Sequence, residues 1–309
     1  MITSVFKKST PLNFLLVGIL MLFFFTMYQS QDLSWLSSSF LIIKKGAAFI
    51  ILLASILLVD LIARRNGMSK DSSYTIFFCM LLLLFFPSIF DSINLLISNF
   101  FILLALRRLI VLKSLNASKE KIFDASFWIF VAALFHFWSI VFIILVFISI
   151  ITHVHRDYRN WILPFIALFL VGILFMIYAT FFNLDVIQFF EKSIQIDFEI
   201  NYFTSNYQNA ALSIYATIAL FFLVSMFATL SNRPKVLHSS YNKIIVSFFL
   251  GVILFFLSAN KSNDLLLFTT APLAIMATAY IEIAQEKLNK EIVIYVLTAC
   301  SMFAFFSQL

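Results

Sequence analysis

Five ionisable side chains stand apart in a chain that has few: Asp32, Asp91, His136, Lys261 and Asp264. Asp32 follows the first apolar run, and Asp91 sits in "FFPSIFDSINLL". His136 lies between Phe135 and Phe137, and Lys261 and Asp264 fall in "SANKSNDLLLF". Ionisable groups at or near membrane depth are costly, so they are functional candidates by default. A carboxylate close to a cation at such a depth suits chemistry on a lipid-linked substrate. The carboxylate takes a proton from an acceptor while the cation holds a phosphate leaving group. The plainer roles are solvated helix ends for Asp32 and Asp91, an interfacial imidazole for His136, and a pair or a snorkelling lysine for Lys261 and Asp264.

The elements that must position these groups follow from composition. The chain is 62% hydrophobic and only 12% charged, with mean hydropathy +1.03. A soluble domain carries roughly 25% charged residues, so a soluble fold is excluded. Apolar runs at about 12–29, 46–63, 73–90, 93–112, 125–152, 161–182, 209–230, 244–259, 265–281 and 292–309 read as membrane helices. The expectation is an all-α, polytopic bundle forming a single membrane domain over residues 1–309. The net charge of +6 reflects basic residues gathered in cytoplasmic loops and does not call for nucleic acid. Cys79 and Cys300 lie inside apolar runs as inert thiols. No motif implies a cofactor or a metal. The first run is longer than a signal segment and no small-residue cleavage site follows, so it reads as an uncleaved helix with Pro11 in its first turn.

The run from Ala125 to Thr152 has no formally charged residue. As one helix of 28 residues it would be ~42 Å long, against a hydrocarbon core of ~30 Å. Charge distribution decides between one crossing and two. With the N-terminus inside and two crossings, 17 of the 21 basic residues are cytoplasmic, leaving Lys44, Lys45, Lys192 and Lys261 outside. With one crossing the split becomes 12 to 9, which is almost no bias. The reading is therefore a short-helix hairpin at 125–152, about eleven membrane segments, a cytoplasmic N-terminus and an external C-terminus. His136 then marks the external tip of the hairpin, and all five ionisable residues share the external face.

Other segments carry weaker signals. "QSQDLSWLSSSFLIIKKG" suits either an interfacial piece with Trp35 at headgroup level or a short connecting loop. Residues 183–208 form the longest external segment, acidic through Asp185, Glu191, Asp197 and Glu199 against Lys192. The basic stretch "ALRRLIVLKSLNASKEKIFDAS" is expected to meet anionic lipid headgroups. His153 and His155 diverge on a helix and lack a third ligand, so a cytoplasmic loop suits them better than a metal. Asp60 is placed to pair with Arg64 one turn later. The sequon at Asn116 falls on the cytoplasmic side. Only five glycines and five prolines are present, which disfavours a transporter or flippase built on broken helices and a glycine-rich channel filter.

Two stretches resemble the membrane glycosyltransferases of the C superfamily, which use polyprenyl-phosphate sugars. "DASFWIFVAALFHFWSIVFIILVFISIITHVHRDYRNWILPFIALFL" is similar to their short-helix hairpin, basic turn and following span. "SANKSNDLLLFTTAPLAIMATAYI" is similar to a late motif with a polar loop and a mid-span proline, here Pro272. The resemblance implies transfer of a sugar from a polyprenyl-phosphate donor at the external face of a bacterial inner membrane. Asp32, the acid of the first external loop, would be the catalytic carboxylate, and Lys261 the phosphate-binding cation. Asp264, Asp91 and His136 would be further substrate-binding groups. Where the superfamily carries an Arg-Tyr pair this chain has Asn263 and Asp264, and its first loop lacks a paired acid. The whole chain, from "MITSVFKKSTPLNFLL" onward, also resembles a family of uncharacterised inner-membrane proteins from flavobacteria. The alternative function is a non-catalytic membrane component with a membrane-protein partner.

Overall fold

The computed structural model describes residues 2–112, 117–154, 156–196, 205–259, 261–284 and 286–309. His155, Asn116, Asp197 and Glu199, named above, lie outside them. Thirteen α-helices are present among the described residues: α1 (Ile2–Phe6), α2 (Pro11–Gln29), α3 (Ser39–Arg65), α4 (Tyr74–Leu83), α5 (Ile93–Val111), α6 (Ser118–Phe135), α7 (Ile143–His153), α8 (Arg159–Phe181), α9 (Val186–Ser193), α10 (Asn206–Leu230), α11 (Lys235–Leu257), α12 (Leu267–Ile283) and α13 (Lys287–Ser307). Eight spans, at α2, α3, α5, α8, α10, α11, α12 and α13, are long and apolar enough to cross a membrane. The chain is a membrane-protein-like helical bundle.

Two helices form its centre. Every residue of α4 is buried, and α12 is buried along almost its whole length. Both are apolar around their full circumference, the pattern of a helix enclosed by other helices. They pack on each other, with the Thr278 hydroxyl donating to Thr75 Oγ1 at 3.2 Å. Short side chains along "TTAPLAIMATA" let backbones approach closely, which is how helices gain packing energy when lipid removes most of the hydrophobic drive. Gly251 of α11 is where the approach is closest. A Cβ there would sit 2.8 Å from Thr269 Cγ2 and 3.2 Å from the Phe268 carbonyl oxygen. Pro272 lacks the N–H that would bond that carbonyl.

The bundle has two polar ends. At one, the Ser9 and Ser73 N–H groups bond the Asp71 and Phe6 carbonyls. Tyr241 donates to the Met68 carbonyl at 2.7 Å, Arg233 to that of Ala279 at 3.1 Å, and Lys243 to that of Leu109 at 2.6 Å. His153 and Ser239 meet at 3.0 Å, and Lys119 pairs with Asp157 at 3.1 Å. At the other end, Gln308 bonds the Phe85 carbonyl, Asn263 bonds that of Gln208, and Trp138 bonds that of Gln195. The run 125–152 belongs to two helices. It breaks at His136, which is extended (φ −144°, ψ 106°), and continues through a 3-10 turn, Phe137–Phe142, into α7. Its two outer ends lie at the same end of the bundle, joined by Lys119 to Asp157.

Several boundaries differ from the sequence reading. α3 begins at Ser39, so Lys44 and Lys45 are helical and the preceding connector holds only the exposed 3-10 turn Leu33–Ser37. α11 begins at Lys235, nine residues before the apolar run, because Tyr241 and Lys243 are buried against carbonyls of other elements. The Asp60–Arg64 ion pair forms, with Asp60 fully buried, Arg64 also donating to Ser9 at 2.8 Å and lying over the Phe14 ring. Cys79 is buried and Cys300 half-buried, both as free thiols.

Replacing Gly251 by Val should overpack the α11–α12 crossing and cost about 1–3 kcal/mol. Gly172→Ala, with open space at its Cβ, should be neutral or slightly stabilising. Thermal unfolding of the two purified variants in one detergent tests this; equal midpoints would refute the close-crossing account.

Candidate functional site

The end of the bundle holding the chain's C-terminus carries the five singled-out residues, four of them around two connectors, 84–92 and 258–266. Pro87 opens a 3-10 turn, Pro87–Asp91, which interrupts the long apolar run after α4. Its serines face one way: Ser88 and Ser92 both donate to the Asp264 carboxylate, the latter at 2.9 Å. Asp91 faces the other way. It is paired with Lys45 of α3, accepts from the Gln29 amide at 2.8 Å, and has the Tyr28 hydroxyl at 3.5 Å. One short turn therefore ties α2 and α3 on one side to the start of α12 on the other. Asp264 and Lys261 are buried, whereas Asp91 is half exposed.

His136 sits beside this network. Its ring stacks over Phe268 with centroids 6.0 Å apart, and its Nε2 is buried with no hydrogen-bond partner among the described residues. It lines a cavity of about 240 Å³ together with Trp138, Lys192, Ser193, Ser258 and Ser262. The segment after α9 closes one wall through a β-bridge between Ile196 and Ser258. Asp185 caps α9 by accepting from the N–H groups of Ile187 and Gln188. Lys192 is thereby fixed near the last turn of α9, where a cation complements the helix dipole.

Asp32 makes no hydrogen bond or ion pair with this cluster among the described residues, although the charge of Lys45, the partner of Asp91, also acts on it. It is exposed and caps the turn Leu33–Ser37, accepting from the Ser34 N–H at 2.9 Å. That bond holds its carboxyl below the usual carboxylate range, which makes it a weaker base. Among described residues, no carboxylate lines the His136 cavity. No group of three His, Cys, Asp or Glu side chains there could hold a metal ion.

Sequence reasoning missed three features. Lys45 as the partner of Asp91 was hidden because both looked like loop residues with no shared period. Glu282 is held by the hydroxyls of Ser69 and Ser72, at 2.8 and 2.6 Å, and by the Lys70 N–H at 2.9 Å. Arg233 is buried, lying 4.3 Å over the Tyr241 ring. The spacing Arg-x7-Tyr, two helical turns apart across Pro234, is the faint signal available for the last of these.

Fold and site together define a polytopic helical membrane protein with a polar network at each end of the bundle. The chain belongs to the family of unknown function DUF6427, whose model matches residues 1–309. No curated protein and no solved structure matches it, so the likeness to the C-superfamily glycosyltransferases rests on the quoted stretches alone.

Removing the Asp264 carboxylate by Asp264→Ala should leave two serine hydroxyls without their acceptor and cost about 1–3 kcal/mol. Asp32→Ala, which loses one exposed cap, should destabilise less than Asp264→Ala does. Parallel denaturant titrations of the two variants are the check, and a larger loss for Asp32→Ala would reverse the assignment of which acid holds the structure together.

Proposed function

We propose that this chain is a multi-pass protein of a bacterial inner membrane that serves as a non-catalytic component, contacting membrane lipids and a membrane-protein partner. The observation that carries this reading is the state of the carboxylates. Asp32 caps its own turn, Asp91 is paired with Lys45, and Asp264 is held by Ser88 and Ser92. None of them lines the cavity at His136, and each has a structural task.

The topology in this proposal has eleven segments, with the N-terminus cytoplasmic and the C-terminus external. The charge split supports it, because this topology puts 17 of the 21 basic residues on the cytoplasmic side. The three segments beyond the eight long spans are α4, α6 and the stretch Phe137–His153. α4 is wholly enclosed by its neighbours and α6 is half-buried, so neither needs the full length of an isolated span. A partner surface is available on α8, whose outer flank carries an apolar groove lined by Phe169, Gly172, Ile173, Met176 and Ile177.

The second reading is a glycosyltransferase-C-like enzyme using a polyprenyl-phosphate sugar. The cavity at the hairpin turn favours it, since His136 and Lys192 there could hold a phosphate. Asp32, Asp91, Asp264 and Lys261 keep in that reading the roles given above.

Two measurements test the proposal. With Cys79 and Cys300 replaced by Ala, Asn183→Cys should react with a membrane-impermeant maleimide in intact spheroplasts, and Asn232→Cys only after lysis; the opposite pattern would overturn the orientation. Purified protein in lipid nanodiscs should leave a radiolabelled polyprenyl-phosphate sugar unconsumed in the presence of acceptor lipids. Turnover that Asp32→Asn abolishes would replace the non-catalytic reading with the transferase reading.

A further inference from the structure

The N-terminal end of the bundle contains a second cavity, larger than the one at His136 and different in chemistry. Its volume is about 520 Å³, and three lysines line it: Lys7 from the residues after α1, Lys70 from the connector before α4, and Lys290 from α13. None of the three forms an ion pair among the described residues, whereas Lys45, Arg64, Arg108 and Lys119 at other places all do. Hydroxyls of Ser4 and Ser72 share the wall, and Tyr74 and Ile281 give it an apolar side.

This convergence is built. α1 is only five residues long and would not persist alone, yet it is stapled down at several points. The Tyr74 hydroxyl donates to the Thr3 carbonyl at 2.7 Å, and the Thr3 hydroxyl donates to Glu291 of α13 at 3.0 Å. Asn13 donates to the carbonyls of Val5 and Lys8, each at 2.8 Å. The connector bearing Lys70 is gripped by Glu282 through the two serine hydroxyls and the Lys70 N–H itself. Glu282 is the one carboxylate in the wall, and these donors already occupy it. Three ammonium groups from three separate segments are thus held around one space, against their mutual repulsion. An anion in the space would relieve that repulsion.

We propose that this cavity binds the phosphate of an anionic ligand, and that the ligand is the headgroup of an anionic phospholipid. A phosphate takes hydrogen bonds from several ammonium donors at once. The apolar wall of Tyr74 and Ile281 suits the glycerol and upper acyl carbons that follow a headgroup. A soluble phosphate compound shares the anionic chemistry but has no use for that wall.

Native mass spectrometry of the full-length protein in detergent tests this, with phosphatidylglycerol, phosphatidylcholine, inorganic phosphate and ATP as separate probes. The site variant is Lys7→Gln/Lys70→Gln/Lys290→Gln. The control is Lys8→Gln/Arg65→Gln/Lys235→Gln, which removes three exposed charges from the same end of the molecule. The expected result is selective retention of phosphatidylglycerol over phosphatidylcholine, lost in the site variant and kept within about twofold in the control. Each single site variant should weaken retention about fivefold, the weight of one lysine near an anionic surface; these singles carry the test should the triple variant fail to fold. Equal losses in site and control variants, or no preference for phosphatidylglycerol, would overturn the lipid assignment. Binding of ATP or inorganic phosphate that the site variant abolishes, without lipid preference, would assign the cavity to a soluble anion instead. No binding of any of the four probes would overturn the site itself.

Discussion

Inside a bilayer a backbone N–H or C=O without a partner has no water to turn to, and this constraint organises the whole molecule. A helix satisfies its own interior but leaves groups unmet at each end. Here carbonyls at or near helix ends accept hydrogen bonds from side chains elsewhere in the chain, several of them in addition to a backbone bond. Gln308 reaches the Phe85 carbonyl at the end of α4, Lys243 reaches Leu109 near the end of α5, and Ser98 reaches Ala132 near the end of α6. Arg233 does the same for Ala279 in α12. Each contact joins two elements far apart in sequence while closing a helix end.

The same constraint explains why the two central helices can be short or interrupted. α4 has ten residues, and after it the chain bends through a 3-10 turn whose serines serve Asp264. α12 keeps a proline in its middle. Neither needs the length or the unbroken hydrogen bonding of an isolated span. Enclosed by neighbours, both are stabilised by close packing, with Gly251 allowing α11 to lie against the backbone that Pro272 leaves unbonded.

The polar clusters at the two ends differ in how charge is balanced. At the C-terminal end, Asp91 and Asp264 have partners, and the nearby cavity presents His136, Lys192 and serines. At the N-terminal end the carboxylates of Glu282 and Glu291 hold the scaffold, and three lysines face a common space. Acids there act as struts and bases as the surface offered to a ligand.

The sequence by itself determined that this is an all-helical membrane-type chain, and nearly where each helix lies. Low charge and apolar runs are local properties, readable without knowing what packs on what. The i,i+4 pair of Asp60 and Arg64 was legible for the same reason. The tertiary structure decided the rest. No glycine or proline marks the break at His136; Ser98, 38 residues upstream, bonds the Ala132 carbonyl and meets Ser139 at 2.6 Å beside it. Lys45 looked like a loop cation and became the helical partner of Asp91. Asp32, the acid of the first loop, caps the 3-10 turn that follows it, a role that no local pattern announces. Long-range pairings among residues of the same few types leave no periodic trace in a chain, so only the folded structure could show which acid meets which base.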